Sequence, residues 1–302
     1  MNNEEPMEAP PPTRPETPWE RLRTTLGMIR FSHSIFALPF ALLAAAMAAR
    51  GMPSAWSLIW IVAACVFARS AAMAFNRLHD EPFDRVNPRT RGWALPAGRL
   101  SRRFVWSFLI VCAGGFIFSA AMLNPLAFKL SPVALMVLLG YSTTKRWTTA
   151  SHFFLGLALG IAPLGAWIGV SGTIAWPPVL LGLGVMCWVA GFDIIYACQD
   201  ADFDRRSGLF SLPVRMGKPR ALAISALCHV AAIALFLGLS LTDGLGVFYL
   251  VAVAGAGALL AWEQSIVSPR DLSRVNSAFF TFNGWVSVVM FVGGFADLLW
   301  AG

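Results

Sequence analysis

Residues Ser57–Phe75 read SLIWIVAACVFARSAAMAF, and Asn76–Gly98 follow directly as NRLHDEPFDRVNPRTRGWALPAG. The first stretch carries one charge, Arg69, and has about the 20-residue length that crosses a bilayer as an α-helix. The second carries Asn76, Asp80 and Asp84 at intervals of four. At roughly 100° per residue, that spacing stacks the three side chains on one helical face, about one turn apart. Arg77, Arg85, Arg89, Arg91 and Arg99 crowd the same stretch. A membrane helix that ends in stepped carboxylates among arginines predicts an all-α membrane protein that holds a metal ion and a strongly anionic ligand.

Working outward, apolar runs recur along the chain, and they predict nine spans: 31–49, 54–76, 103–123, 126–144, 151–170, 177–199, 219–240, 245–263 and 276–298. Backbone groups in lipid must be satisfied internally, so the choice is helices or a barrel, and long unbroken runs select a polytopic helix bundle. The sequence is 57 % hydrophobic and 13 % charged, against about 25 % charged in soluble domains, which excludes a soluble enzyme. Residues 1–20 are rich in Pro and Glu and lack an apolar core, so they predict a disordered cytoplasmic tail rather than a signal peptide, ahead of a membrane domain over 21–302.

The charge distribution orients the bundle. Of the 23 Lys and Arg residues, all but Arg50, Arg69 and Lys129 fall in the tail or in the loops after spans 2, 4, 6 and 8. The positive-inside rule therefore makes that face, and the N-terminus, cytoplasmic. The net charge of +7 reports topology here and points to no nucleic acid. The five cysteines lie in or beside apolar runs without a CxxC pair, as reduced packing residues.

A second stretch, Asp193–Pro213, reads DIIYACQDADFDRRSGLFSLP and also ends an apolar span. Asp193, Tyr196, Asp200 and Asp204 are spaced 3, 4 and 4, which predicts one helical stripe, with Asp202 off it and facing solvent. Like charges at i,i+4 repel unless a cation sits between them. Mg²⁺ takes oxygen ligands, usually one or two carboxylates plus substrate phosphates. Asp80, Asp84, Asp200 and Asp204, facing one another across a bundle, are thus expected to hold two or three Mg²⁺ ions bridged by a diphosphate. Arg69 shares the Asn76 face two turns deeper, and a charge within a span usually faces a cavity. Tyr141 and Lys145 are four apart and precede Arg146, which makes Lys145 a diphosphate anchor. Among the histidines, His33 is a possible substrate contact, His79 lies off the stripe, and His152 and His229 have no spaced partner. No HExxH, GxxxxGK[ST] or GxSxG motif occurs. A diphosphate neutralised in place by Mg²⁺ and basic side chains is a good leaving group, and an apolar chamber suits a long hydrocarbon. Transfer of a polyprenyl group fits these parts.

These motifs resemble the UbiA family of intramembrane aromatic prenyltransferases over nearly all of residues 21–298. NxxxDxxxD stands as Asn76, Asp80 and Asp84, followed by Asn87-Pro88-Arg89-Thr90 and Leu95-Pro96-Ala97-Gly98. The second motif stands as Tyr196-Ala197-Cys198-Gln199-Asp200, Asp204, Gly208 and Ser211-Leu212-Pro213, and residues 33–40 (HSIFALPF) and Tyr141…Lys145-Arg146 also match. The resemblance implies nine helices, Mg²⁺ at both Asp motifs, and ionisation of a polyprenyl diphosphate followed by attack of an electron-rich ring. Asn76, Asp80, Asp84, Asp200 and Asp204 would place Mg²⁺–diphosphate; Lys145, Arg146 and Arg89 would neutralise it; Arg69, Tyr141 and Tyr196 would line the pocket. Asp193, deeper on the second stripe, is our own candidate for polarising the acceptor hydroxyl. The wording around Gly191–Asp200 resembles the quinone-pathway branch, whose acceptor is 4-hydroxybenzoate or a related aromatic acid; a neighbouring branch prenylates a dihydroxynaphthoate such as 1,4-dihydroxy-6-naphthoate. Arg77 stands where the family often has an acid, which removes one possible ligand.

Two rival readings are weaker. A transporter would also carry intramembrane Asp and Arg, but these acids gather at one membrane face rather than the midplane. A membrane phosphotransferase would carry one acidic cluster, and this chain carries two.

Overall fold

The longest helix sets the frame of the bundle. The computed structural model describes residues 17–29, 36–273, 275 and 282–300, which contain no strand. Their helices are α1 (Pro18–Met28), α2 (Leu38–Ala49), α3 (Ala55–Val86), α4 (Arg102–Leu123), α5 (Pro125–Thr144), α6 (Ser151–Ser171), α7 (Trp176–Ala197), α8 (Ala201–Arg206), α9 (Leu212–Met216), α10 (Lys218–Asp243), α11 (Val247–Ser265) and α12 (Asn283–Trp300).

Helix α3 begins where the Ser54 hydroxyl accepts the Ser57 N–H at 3.1 Å, satisfying one of the N-terminal donors that a helix leaves open. It runs for 32 residues, about 48 Å at 1.5 Å per residue, well beyond a ~30 Å hydrocarbon core. The expected span over 54–76 is therefore ten residues short. Asn76, Asp80 and Asp84 ride the same rod that crosses the membrane.

Eight described helices are long and apolar enough to cross a bilayer, and α2 is a shorter apolar helix beside them. The span expected over 31–49 is described as helix only from Leu38; residues 30–35, including His33, lie outside the described residues. So do residues 276–281, the start of the span expected over 276–298. The tail expected over 1–20 lies outside them up to residue 16, and α1 already starts at Pro18 behind a capping box of Thr17 and Glu20.

Of the eight helices long enough to span, α7 is the most deeply buried, with Leu181, Val185, Trp188 and Val189 at 0 % exposure. It is wedged between α6 and α10, and the α6 side is held unusually close. A Cβ added at Gly160 would lie 2.4 Å from the Gly182 carbonyl oxygen, and one at Gly156 would lie 2.3 Å from that of Met186. Lipid offers no hydrophobic drive between helices, so small residues that let backbones touch supply the packing. His152, Gly156 and Gly160 fall four residues apart on that face of α6, so the seam ends at His152 on the side where the second acidic motif begins. Cys112, Cys198 and Cys228 are buried, and all five cysteines are free.

Candidate active site

Ten charged side chains meet at one end of a single cavity. On α3, Asn76 Nδ2 donates to Asp80 Oδ2 at 2.8 Å, which leaves the amide oxygen of Asn76 outside that bond. Arg77 lines the same cavity. It donates to Asp84 Oδ2 at 3.3 Å and stacks 4.0 Å above the Trp93 ring. Glu81, also in this acidic run, takes no part in the cavity. Its carboxylate is 2 % exposed and is held by Arg85 at 2.6 Å and Arg102 at 2.8 Å, which ties the end of α3 to the start of α4.

The loop after α3 returns Arg89 to the second motif. Its Nε and one terminal nitrogen donate to the two Asp200 carboxylate oxygens at 3.0 and 2.6 Å, and the other donates to Tyr196 Oη at 2.9 Å. Burial works against the Arg89 charge, but Asp200 and Tyr196 outweigh it and hold the guanidinium above its usual range. At the end of α5, Lys145 Nζ lies 2.9 Å from Asp204, whose carboxylate is 1 % exposed. Burial pushes the Asp204 carboxyl above the usual carboxylate range, against the opposing pull of Lys145. Arg146 donates to the His79 carbonyl and covers the Phe83 ring at 5.1 Å.

The second stripe is not one helix. α7 stops at Ala197, a turn of i→i+3 bonds covers Cys198–Asp200, and α8 begins at Ala201. The Asp204 N–H still bonds back to the Asp200 carbonyl at 2.8 Å, so the two acids keep their one-turn stagger. Asp202 is exposed and pairs at 3.5 Å with Arg205.

All twelve residues expected at the site line this cavity of about 480 Å³: Arg69, Asn76, Asp80, Asp84, Arg89, Tyr141, Lys145, Arg146, Asp193, Tyr196, Asp200 and Asp204. Below the charged end the wall turns apolar, through Ala72, Leu138, Leu159, Cys65, Phe116 and Leu123. Along α3 the lining runs from Asp84 back to Ile61, about 35 Å of helix. The shape is a polar head group site opening on a hydrocarbon-sized chamber.

The charge balance of the lining is informative. Asp80, Asp84, Asp193, Asp200 and Asp204 are matched in number by Arg69, Arg77, Arg89, Lys145 and Arg146. Such a lining has no net charge to offer a bare anion, whereas an anion brought with divalent cations can divide between the two sets: metal to carboxylates, phosphoryl oxygens to guanidinium and ammonium groups. The all-oxygen acids fit a hard cation such as Mg²⁺. They do not form a cage by themselves, since no group of three or more His, Cys, Asp or Glu side chains converges on a metal-sized point among the described residues. In this arrangement each of the four acids is held by a neighbouring donor, Asp80 by Asn76, Asp84 by Arg77, Asp200 by Arg89 and Asp204 by Lys145.

One lining residue escaped the sequence reading. His152, which has no spaced partner in the sequence, is 3 % exposed, and its Nδ1 lies 2.7 Å from Asp193 Oδ2. The two residues are 41 apart on different helices, so no spacing rule finds them. His229, also without a spaced partner, lies outside the cavity and meets Gln264 Nε2 at 3.0 Å.

Comparison with known proteins agrees with this architecture. The model of the UbiA prenyltransferase family matches residues 37–286. A 4-hydroxybenzoate octaprenyltransferase of Cronobacter sakazakii is 31 % identical over 247 residues, covering 82 % of this chain and 84 % of that protein. The apo structure of a UbiA homologue from Aeropyrum pernix K1 superposes with a TM-score of 0.80 at 35 % identity, covering 88 % of this chain and 98 % of that one. A UbiA homologue from Archaeoglobus fulgidus, solved bound to DMAPP and Mg²⁺, shares the fold with a TM-score of 0.73 at 21 % identity, covering 92 % and 99 %.

Proposed function

The chain belongs to the UbiA prenyltransferase family and is an integral-membrane prenyltransferase, and from that premise we propose that it transfers a polyprenyl group from polyprenyl diphosphate to an aromatic acid such as 4-hydroxybenzoate, in quinone biosynthesis, with Mg²⁺ as cofactor. The observation that carries this reading is the single cavity that joins a charge-balanced head to an apolar chamber. Only a ligand with a phosphorylated end and a long hydrocarbon uses both parts.

Asp80, Asp84, Asp200 and Asp204 would hold Mg²⁺, which when bound neutralises the charge of the departing diphosphate. The work of the chain's own residues follows from their positions. Arg89 and Lys145, now on Asp200 and Asp204, exchange those carboxylates for diphosphate oxygens when the substrate arrives; Asn76 and Arg146 complete that shell. Arg69, Tyr141 and Tyr196 line the walls where the reacting ends meet. The apolar lining keeps water from competing for the allylic carbon. The C1–O bond breaks and diphosphate keeps its electron pair. Asp193 takes the acceptor hydroxyl proton, and a ring carbon beside that oxygen supplies the pair for the new C–C bond. The ring hydrogen then leaves as a proton while the hydroxyl regains one from Asp193, so the products are prenylated acid, diphosphate and one proton.

The loop arginines support a cytoplasmic N-terminus and site, since 20 of the 23 basic residues fall on that face. Membranes carrying the protein, labelled polyprenyl diphosphate and a panel of 4-hydroxybenzoate, dihydroxynaphthoates and homogentisate test the acceptor. Preferred turnover of 4-hydroxybenzoate is expected; preference for 1,4-dihydroxy-6-naphthoate would reassign it within the same chemistry, and labelled diphosphate crossing the membrane unreacted would favour a transporter.

A further inference from the structure

We infer that His152 is the positioning residue for the acceptor: it fixes the Asp193 carboxylate, through Oδ2, so that the other oxygen meets the aromatic hydroxyl. This rests on the prenyl-transfer reading above and adds to it how the acceptor end is built.

The hydrogen bonding fixes the ring's role. The Leu212 backbone N–H, the first of helix α9, donates to His152 Nε2 at 3.4 Å. A backbone N–H can only donate, so Nε2 is the acceptor and the neutral imidazole carries its proton on Nδ1. That proton faces Asp193 Oδ2 at 2.7 Å. Both residues line the cavity, but the His152 side chain is only 4 % exposed and that of Asp193 is 25 %. The imidazole is therefore closed off on both nitrogens, and the carboxylate is the member of the pair that presents an atom to a ligand. This is the arrangement in which a buried imidazole orients a reacting carboxylate while taking no contact with substrate.

Three further contacts make the position rigid. His152 continues the Gly156–Gly160 seam, where α6 and α7 touch backbone to backbone, so the ring cannot retreat from Asp193 without opening the seam. On the opposite side of α7, the Ser225 hydroxyl donates to the Gly191 carbonyl at 2.7 Å, and Gln264 Nε2 donates in turn to Ser225 Oγ at 2.8 Å. Asp193 is thus clamped two residues from a braced carbonyl. Through Leu212, the same imidazole also ties Asp193 to the Ser211-Leu212-Pro213 turn that follows the Asp204 helix. The Asp204 carboxylate itself is held from elsewhere, by Lys145 at 2.9 Å, so the diphosphate end does not depend on His152.

The test compares His152→Leu with His152→Gln in the full-length protein in membranes. Glutamine can accept the Leu212 N–H through Oε1 and donate to Asp193 through Nε2, whereas leucine can do neither. Two activities are read: transfer to the aromatic acceptor, and acceptor-free hydrolysis of polyprenyl diphosphate, which needs the metal and diphosphate residues alone. Losing an outer partner that orients a metal-ligating side chain typically costs about 10- to 100-fold, and the same scale is expected for a partner that orients a reacting carboxylate. His152→Leu is expected to lower kcat for transfer by that factor while leaving hydrolysis and the KM for polyprenyl diphosphate within about twofold, and His152→Gln is expected to recover most of the loss. The His152→Leu deficit should also shrink with fluorinated acceptors, whose hydroxyl gives up its proton more readily. Undiminished transfer by His152→Leu, or equal losses of transfer and hydrolysis without recovery in His152→Gln, would overturn the inference alone. A wild-type protein that hydrolyses the diphosphate but prenylates no aromatic acceptor would overturn the prenyl-transfer reading, and this inference with it.

Discussion

Arg89 and Asp200 stand 111 residues apart in sequence and share two hydrogen bonds, of 3.0 and 2.6 Å, that close one acidic motif onto the other. A planar guanidinium fits a carboxylate with two parallel N–H donors, and a lysine ammonium offers only a point charge in its place. The same fork suits a phosphoryl group. Arg89→Lys is therefore expected to lower kcat/KM for polyprenyl diphosphate by about tenfold or more, and Arg89→Ala by more still. Steady-state assays across substrate concentrations check this; an Arg89→Lys protein with wild-type kcat/KM would mean that the fork does no more than hold the loop.

The charge-balanced lining makes a thermodynamic prediction. Diphosphate and Mg²⁺ should bind cooperatively, because each occupies the partners that the other sets free. Saturation at ~100 times Kd stabilises a fold by about 2.7 kcal/mol, which a thermal melt in detergent resolves. Inorganic diphosphate with Mg²⁺ is expected to raise Tm by several degrees, and either one alone by much less. Excess EDTA should abolish turnover yet leave Tm unchanged, since the acids keep their Arg, Lys and Asn partners. Equal shifts from diphosphate with and without Mg²⁺ would defeat this account.

Removing one acid from either motif strips a neighbouring donor, Asn76 or Arg89, of its partner and, on the proposed reading, takes away one ligand for Mg²⁺. Asp80→Ala and Asp200→Ala are each expected to reduce prenyl transfer by at least about 10²-fold, the scale of losing one group that stabilises developing charge. Labelled polyprenyl diphosphate and 4-hydroxybenzoate in membranes provide the assay. Full activity in either variant would remove that residue from the metal site.

The α6–α7 seam predicts a stability effect that also reaches the chemistry. At Gly160 a side chain would meet the Gly182 carbonyl at 2.4 Å, and overpacking of this kind typically costs about 1–3 kcal/mol. Gly160→Val should lower Tm accordingly. It should also reduce transfer more than diphosphate hydrolysis, because pushing α6 outward carries His152 away from Asp193. A Gly160→Val protein with unchanged Tm would show that the seam yields without cost.

Much of this could be read from spacing. The interval of four placed Asn76, Asp80 and Asp84 on one face, and the structure has them on one unbroken helix. The second stripe was harder, because Asp200 and Asp204 keep the interval of four across a helix break that no local residue announces. Least visible were the partners. Arg77 on Asp84, Arg89 on Asp200 and Lys145 on Asp204 follow from how the loops return, and a sequence rich in arginine does not say which one returns where. His152 and Asp193 meet because two helices pack through glycine, a tertiary event that intervals along one chain do not encode.

The unbroken course of α3 constrains how this chain can change length. One helix lines the chamber from Ile61 and carries the first acidic motif to Asp84, so its residues are indexed like teeth on a single gear. Inserting one residue between them would turn Asn76, Asp80 and Asp84 by about 100° and swing all three out of the cavity together. Insertions in the turns at Gly51–Pro53 or Thr148–Ala150 bring no such rotation. Drift in chain length, natural or engineered, should accumulate in those turns and spare the rod.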